Sequence, residues 1–204
     1  MNYFKYGEKE INYLKSRDPI LGAAIEKIGM VKRKVNPDIF SALISSIISQ
    51  QISTKAAITV KNRFADLIGE IRAENILEFE VLDIQKCGMS MRKANYIKGI
   101  AEAAISNTVD FHRLDELDDK EVIKELTILK GVGEWTAEML LIQSLERMDI
   151  LSYKDLGIRK GMIKLYNLDG ISKKEFEIYR KRYSPFATVA SIYLWEIAGQ
   201  NINP

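Results

Sequence analysis

From Asn36 to Tyr193 the apolar residues recur three and four positions apart, run after run, and almost nowhere do they alternate. That spacing marks one face of an α-helix, whereas a half-buried strand alternates every second residue. The chain therefore reads as all-α. Asn36-Pro37 looks like a capped start with proline at the first helical position, followed at helical spacing by Ile39, Phe40, Leu43, Ile44, Ile47 and Ile48. Ser53, Ser90, Asp118 or Asp119, Ser172 and Ser184 precede further runs, the last with Pro185 behind it. At 204 residues and 47% hydrophobic, the chain can bury one substantial core or two smaller lobes.

The sharpest punctuation is Leu129-Lys130-Gly131-Val132-Gly133-Glu134-Trp135-Thr136-Ala137. A helical pattern from Val122 to Leu129 runs into two glycines, which adopt backbone angles that a side chain forbids, and a second amphipathic helix starts at once. This predicts two helices joined by a tight hairpin whose amides, freed at Gly131, Gly133 and the next helix start, suit an anion such as a phosphate. An Asp follows inside Tyr153-Lys154-Asp155-Leu156-Gly157-Ile158-Arg159. Asp before a periodic segment is a helix N-cap.

These strings, with Ile48-Ser49-Gln50-Gln51-Ile52-Ser53-Thr54-Lys55-Ala56-Ala57, Gly88-Met89-Ser90-Met91-Arg92-Lys93-Ala94 and Tyr183-Ser184-Pro185-Phe186 leading to Trp195, resemble the helix-hairpin-helix DNA glycosylases, specifically the 3-methyladenine DNA glycosylase II branch. The resemblance covers roughly residues 20 to 200 and implies two helical lobes around a DNA-binding cleft. A central lobe of residues 36–145 would carry the hairpin, and residues 1–35 with 146–204 would form the second lobe, bearing the Asp segment. The chain looks too short for the N-terminal β domain of larger bacterial members.

The resemblance implies roles residue by residue. Asp155 would be the catalytic carboxylate. Trp135, Met139 and Trp195 would line the base pocket, Met139 where a relative has an aromatic ring. DNA would be contacted by Gln50, Gln51, Ser53, Lys130, Gly131, Val132, Gly133, Thr136, Lys154 and Arg159. Gln51 would intercalate into the gap left by the flipped base, and Gln50 would approach the opposite strand. Backbone carbonyls of Thr127, Leu129 and Val132 would hold a monovalent or similar cation, with no cofactor needed for the chemistry. Lyase-type relatives carry their nucleophilic lysine where this chain has Trp135, so the expected enzyme is monofunctional. Its expected substrate is double-stranded DNA containing 3-methyladenine or 7-methylguanine. Alternatives are a glycosylase for neutral deaminated or oxidised bases, and a non-catalytic helix-hairpin-helix DNA-binding protein.

Charge and composition are consistent with this reading. The net charge is only +2, yet Tyr153 to Arg182 holds nine Lys or Arg against four acids, a distribution that can present a positive face to a polyanion. A single cysteine, Cys87, excludes an intrachain disulfide framework and a four-cysteine iron–sulfur cluster. The polar first ten residues do not resemble a secretory signal, and no apolar run reaches membrane-spanning length. We expect a monomer that is cytoplasmic, or nuclear in a eukaryote. The single histidine, His112, lies outside every matching motif.

Overall fold

The computed structural model describes residues 2–199. In chain order these form β1 (Asn2–Tyr3), α1 (Glu8–Arg17), α2 (Pro19–Ile28), β2 (Lys34–Val35), α3 (Ile39–Ser49), α4 (Thr54–Ile68), α5 (Ala73–Leu77), α6 (Val81–Lys86) and α7 (Met91–Ile105). There follow α8 (Asp119–Thr127), α9 (Glu134–Gln143), α10 (Leu156–Leu165), α11 (Lys173–Tyr183) and α12 (Ala187–Gly199). Among the described residues the regular structure is helical apart from one two-stranded antiparallel ribbon, β1–β2, pairing Asn2 with Val35 and Tyr3 with Lys34. No helix among the described residues is long and apolar enough to cross a membrane.

Side-chain caps set where several helices begin. Ser53 accepts the Ala56 amide at 3.3 Å and Ser90 the Lys93 amide at 3.3 Å. At Asp118 and Ser172 the cap is reciprocal, with Glu121 and Glu175 returning a bond to the cap amide. Two starts differ from the sequence reading. Pro37 precedes the helix, and α3 begins at Ile39 behind Asp38, whose carboxylate accepts the Ser41 amide at 3.0 Å. The Asn36 side chain is used by the Asp38 amide, so the nearer Asp does the capping. Ser184 closes α11 instead of opening the next helix: its hydroxyl donates to Asp149 Oδ2 at 2.6 Å. Asp149 Oδ1 accepts from Ala187 N, the first residue of α12, so that start is fixed by a carboxylate far away in sequence.

The chain divides into two units: Asn36–Leu145, and Met1–Val35 with Glu146–Pro204. In the first, α3 packs on α4, α7 and α9, α7 covers α5 and α6, and α8 pairs with α9. The second helix of the hairpin is not amphipathic as expected. Met139, Leu140, Leu141 and Ile142 are all buried, because α9 is covered by both α3 and α8.

In the second unit, α12 is central, touching α1, α2, α10 and α11. Its sequence from Ala187 to Leu194 is buried without interruption, so a one-sided apolar stripe is not needed. Asp18, 1% exposed, ties the ends together. Its Oδ1 caps α2 at Ile20 N and Leu21 N, and its Oδ2 accepts from Tyr166 Oη and Arg182 Nη1, both at 2.7 Å. Tyr166 also shares a hydrogen bond with Tyr183. Burial, then the neighbouring Tyr183 and Asp18, hold the Tyr166 phenol protonated far above the usual range.

The α10–α12 contact needs glycine at 161, where a Cβ would stand 2.1 Å from the Leu194 carbonyl oxygen. Backbone cannot retreat as a flexible side chain can. We predict that Gly161→Ala lowers stability by about 1–3 kcal/mol, the scale of overpacking. A urea unfolding midpoint equal to that of the unmodified chain would show that α10 and α12 can separate freely.

Candidate functional site

Within the unit Asn36–Leu145, the chain leaves α8 and reverses at Gly131, where φ is +89°. Tyr96 from α7 lies where a side chain would be: a Cβ on Gly131 would sit 2.3 Å from the ring. Glycine is therefore required there twice over, by backbone angle and by space. Gly133 is different. It caps α9 with φ −99° and ψ 171°, an extended conformation open to any residue, and nothing would meet its Cβ, so only one of the two glycines takes a forbidden angle. The Gly131 and Gly133 amides have no protein acceptor among the described residues, while the Val132 amide turns inward to Leu129 O at 3.1 Å. Lys130 is exposed and Val132 is buried beneath the turn. Thr136 is 3% exposed, so its side chain is packed in the unit instead of offered to a ligand.

A second turn, between α3 and α4, is locked to this hairpin. Gln50 Nε2 donates to Gly131 O at 3.1 Å, and Gln51 takes φ +57°, unusual for a residue with a side chain. Lys93 donates to Ile48 O at 2.8 Å and Gln50 O at 2.6 Å, satisfying carbonyls that the end of α3 leaves open. Burial, and then Arg92 beside it, lower the Lys93 ammonium below the ordinary lysine value. Ser53 is exposed at the start of α4. Trp135, 38% exposed, lines a recess of about 390 Å³ with Ser46, Ser49, Gln50 and Gln51. Met139 does not line this recess; it is 6% exposed and belongs to the core.

The other unit contains the carboxylate. Asp155, 7% exposed, caps α10: its Oδ1 accepts from Ile158 N at 2.8 Å and from Trp195 Nε1 at 2.9 Å. The indole comes this close because residue 157 is glycine. A Cβ there would stand 2.8 Å from Trp195 Cδ1 and 3.1 Å from Asp155 Oδ1. Arg159 stacks over the Tyr153 ring at 5.2 Å, its Nε buried without a hydrogen-bond partner, and Lys154 is exposed one residue before the carboxylate.

Residues 44–185 match the family described as HhH-GPD superfamily base excision DNA repair protein. The chain belongs to the HhH-GPD superfamily. DNA-3-methyladenine glycosylase 1 of Schizosaccharomyces pombe is 37% identical over 162 residues, covering 77% of this chain and 71% of that protein. The crystal structure of the DNA-3-methyladenine glycosidase of Bacillus halodurans superposes with a TM-score of 0.87 at 36% identity, over 98% of this chain and 94% of that one. A Schizosaccharomyces pombe 3-methyladenine DNA glycosylase in complex with abasic DNA gives 0.84 at 32% identity, over 95% and 98%.

Sequence reading assigned no role to Lys93, Tyr96, Ser46 or Ser49, although Ser49 and Lys93 lie in the matching strings. Lys93 and Tyr96 stand three apart on one face of α7, but nothing local shows that one holds the Gln50 turn and the other backs the hairpin glycine. For the HhH-GPD turn we predict that Lys93→Met, which keeps the stem and removes the ammonium, speeds exchange of the Gln50 amide, bonded to Ser46 O at 3.1 Å at the end of α3, by about tenfold or more, the effect of losing a charged hydrogen bond of ~1.5–3 kcal/mol. Core amides of α9 should be unaffected. Unchanged exchange at the turn would show that Lys93 is not its brace.

Proposed function

We propose that this chain is a monofunctional glycosylase that flips alkylated purines, 3-methyladenine and 7-methylguanine among them, out of double-stranded DNA and hydrolyses their N-glycosidic bonds. The observation that carries the reading is the carboxylate–indole pair. Asp155, nearly buried, is fixed by the Ile158 amide and the Trp195 indole at the start of α10. A pure backbone binder has no use for a carboxylate facing phosphates. The named relatives support the reading, since abasic DNA, bound in one of them, is what removal of a base leaves behind.

Breaking the bond sends its electron pair to the purine and develops positive charge on the deoxyribose. A carboxylate already immobilised by two donors needs little reorganisation to stabilise that charge. At ~4 Å and an effective dielectric near 20 the attraction is about 4 kcal/mol, roughly three decades in rate. Asp155 then accepts the proton of the attacking water. An alkylated purine already carries the positive charge that makes it a good leaving group, so it departs neutral without an enzymatic acid. His112, exposed and outside these motifs, is not required.

The hairpin amides of Gly131 and Gly133, with Lys130, Lys154 and Arg159, serve the phosphates, which fix register without reading sequence. Gln51, held at positive φ on its braced turn, fills the gap in the stack, whose opening costs a few kcal/mol. Gln50, bonded to Gly131, joins wedge turn to hairpin. Trp135 and Trp195 supply aromatic faces suited to a cationic base, each worth ~0.5–2 kcal/mol. The backbone carbonyls of Thr127, Leu129 and Val132 would hold a monovalent cation, for which hard oxygen donors are suited, and that ion would supply positive charge for a phosphate. Leu129 O also accepts the Val132 amide at 3.1 Å.

Two outcomes test this reading. Asp155→Asn should lower single-turnover excision of 7-methylguanine by about two to three decades while duplex affinity is retained, the scale of losing a dominant electrostatic stabiliser. Near-normal turnover would remove Asp155 from the chemistry. Because Trp135 stands where a lyase would carry its amine, borohydride should trap no covalent protein–DNA adduct. Efficient trapping that disappears when Lys130 or Lys154 is changed would place the chain among the lyases.

A further inference from the structure

The Trp195 indole has its N–H edge on Asp155, and a cation already sits against its face. The Arg33 guanidinium carbon is 4.6 Å from the ring centroid. The backbone around Arg33 is held firmly. Tyr6 Oη bonds both the amide and the carbonyl of Val31, and Arg33 O accepts the Phe4 amide at 2.8 Å beside β2. No carboxylate lies within 4 Å of Arg33 among the described residues, so its charge is met by the indole face instead of by an ion pair. A guanidinium is planar and delocalised, as an N-alkylated purine is. One face of the proposed stacking surface is thus taken by a planar, delocalised cation, the same kind of charge that the expected base carries.

We infer that Arg33 is a specificity-determining residue of this site, setting how the pocket divides its activity between cationic and neutral purines. The inference rests on the glycosylase reading above. A base that stacks on Trp195 either displaces the guanidinium or takes the opposite face, and in both cases a fixed positive charge remains close by. When the glycosidic bond breaks, its electron pair goes to the base. A cationic purine leaves neutral, water attacks the sugar carbon, and Asp155 takes the water's proton. A neutral purine leaves by the same bond cleavage as an anion. Arg33 therefore opposes binding of the cation and stabilises departure of the anion, so its charge acts in opposite directions on the two substrates.

The test is single-turnover excision of 7-methylguanine and of hypoxanthine from duplexes of one sequence, by the full chain, Arg33→Gln and Arg33→Lys. Arg33→Gln should raise the ratio of 7-methylguanine to hypoxanthine excision by about tenfold, within the range that one charge–π or charge–charge contact supplies. Arg33→Lys should keep the ratio close to the original. A loss shared equally by both substrates, or an unchanged ratio, would overturn the inference and make Arg33 a packing or phosphate contact. A second measurement does not need turnover: quenching of Trp195 fluorescence, in a Trp135→Phe background, by 7-methylguanosine in mildly acidic buffer where it is cationic, and by neutral inosine. Removing the arginine charge should tighten binding of the cation alone. If the unmodified chain excises neither base, the glycosylase reading fails, and this binding comparison still decides whether Arg33 guards the indole against cations; equal changes for both nucleosides would reject it.

Discussion

The bond between Trp195 Nε1 and Asp155 Oδ1 depends on how closely two helices approach, and much of its unit is arranged to permit that approach. Gly157 leaves room for the indole and Gly161 for the Leu194 carbonyl, so α12 lies against the first two turns of α10. The aspartate has two structural tasks through one oxygen: it caps α10 at Ile158 and anchors the tryptophan. A side chain that starts a helix is held by the helix it starts. This is an economical way to immobilise a carboxylate, because the groups that fix its direction are a backbone amide and a half-buried ring.

In the other unit the comparable problem is to hold two turns in register, and α7 does this with one face. Tyr96 supports the hairpin at Gly131, Lys93 gathers the carbonyls at the end of α3, and Gln50 spans from turn to hairpin. Both turns contain a residue at positive φ, which glycine takes freely at 131 but which at Gln51 is a strained state that persists only where neighbours enforce it. Loops carrying such geometry on a helical frame are placed as accurately as the frame itself.

Helical class, the hairpin's position and the carboxylate as a cap were legible in the sequence, because each is written within a few residues: period, glycine, cap. What failed to show was whatever depends on a partner far along the chain. Asp38, not Pro37, begins α3 because Asn36 is engaged by the neighbouring amide, and α12 is capped by Asp149. Met139 and Thr136 sit in motifs that suggested contact with a ligand, yet α3 and α8 enclose α9 on both sides and leave them inside. The pairing of Trp195 with Asp155 spans forty residues, and neither spacing nor composition encodes it. The two glycines of the hairpin look equivalent as letters, and only the backbone angle and the ring of Tyr96 at Gly131 distinguish them.

The unit assembled from both ends of the chain imposes an order of events. Its buried carboxylate, Asp18, belongs to the segment made early in synthesis, but its partners Tyr166 and Arg182 are separated from it by the whole of Asn36–Leu145. Until those residues emerge from the ribosome, Asp18 has only its local cap bonds and α1 and α2 have no α12 to cover them. Closing a loop of that length is entropically costly for a flexible chain, and far less so once the intervening residues have collapsed into a compact body of their own. The contiguous unit is thus more than a platform for the hairpin. During biosynthesis it shortens the path that the two ends must travel to find each other.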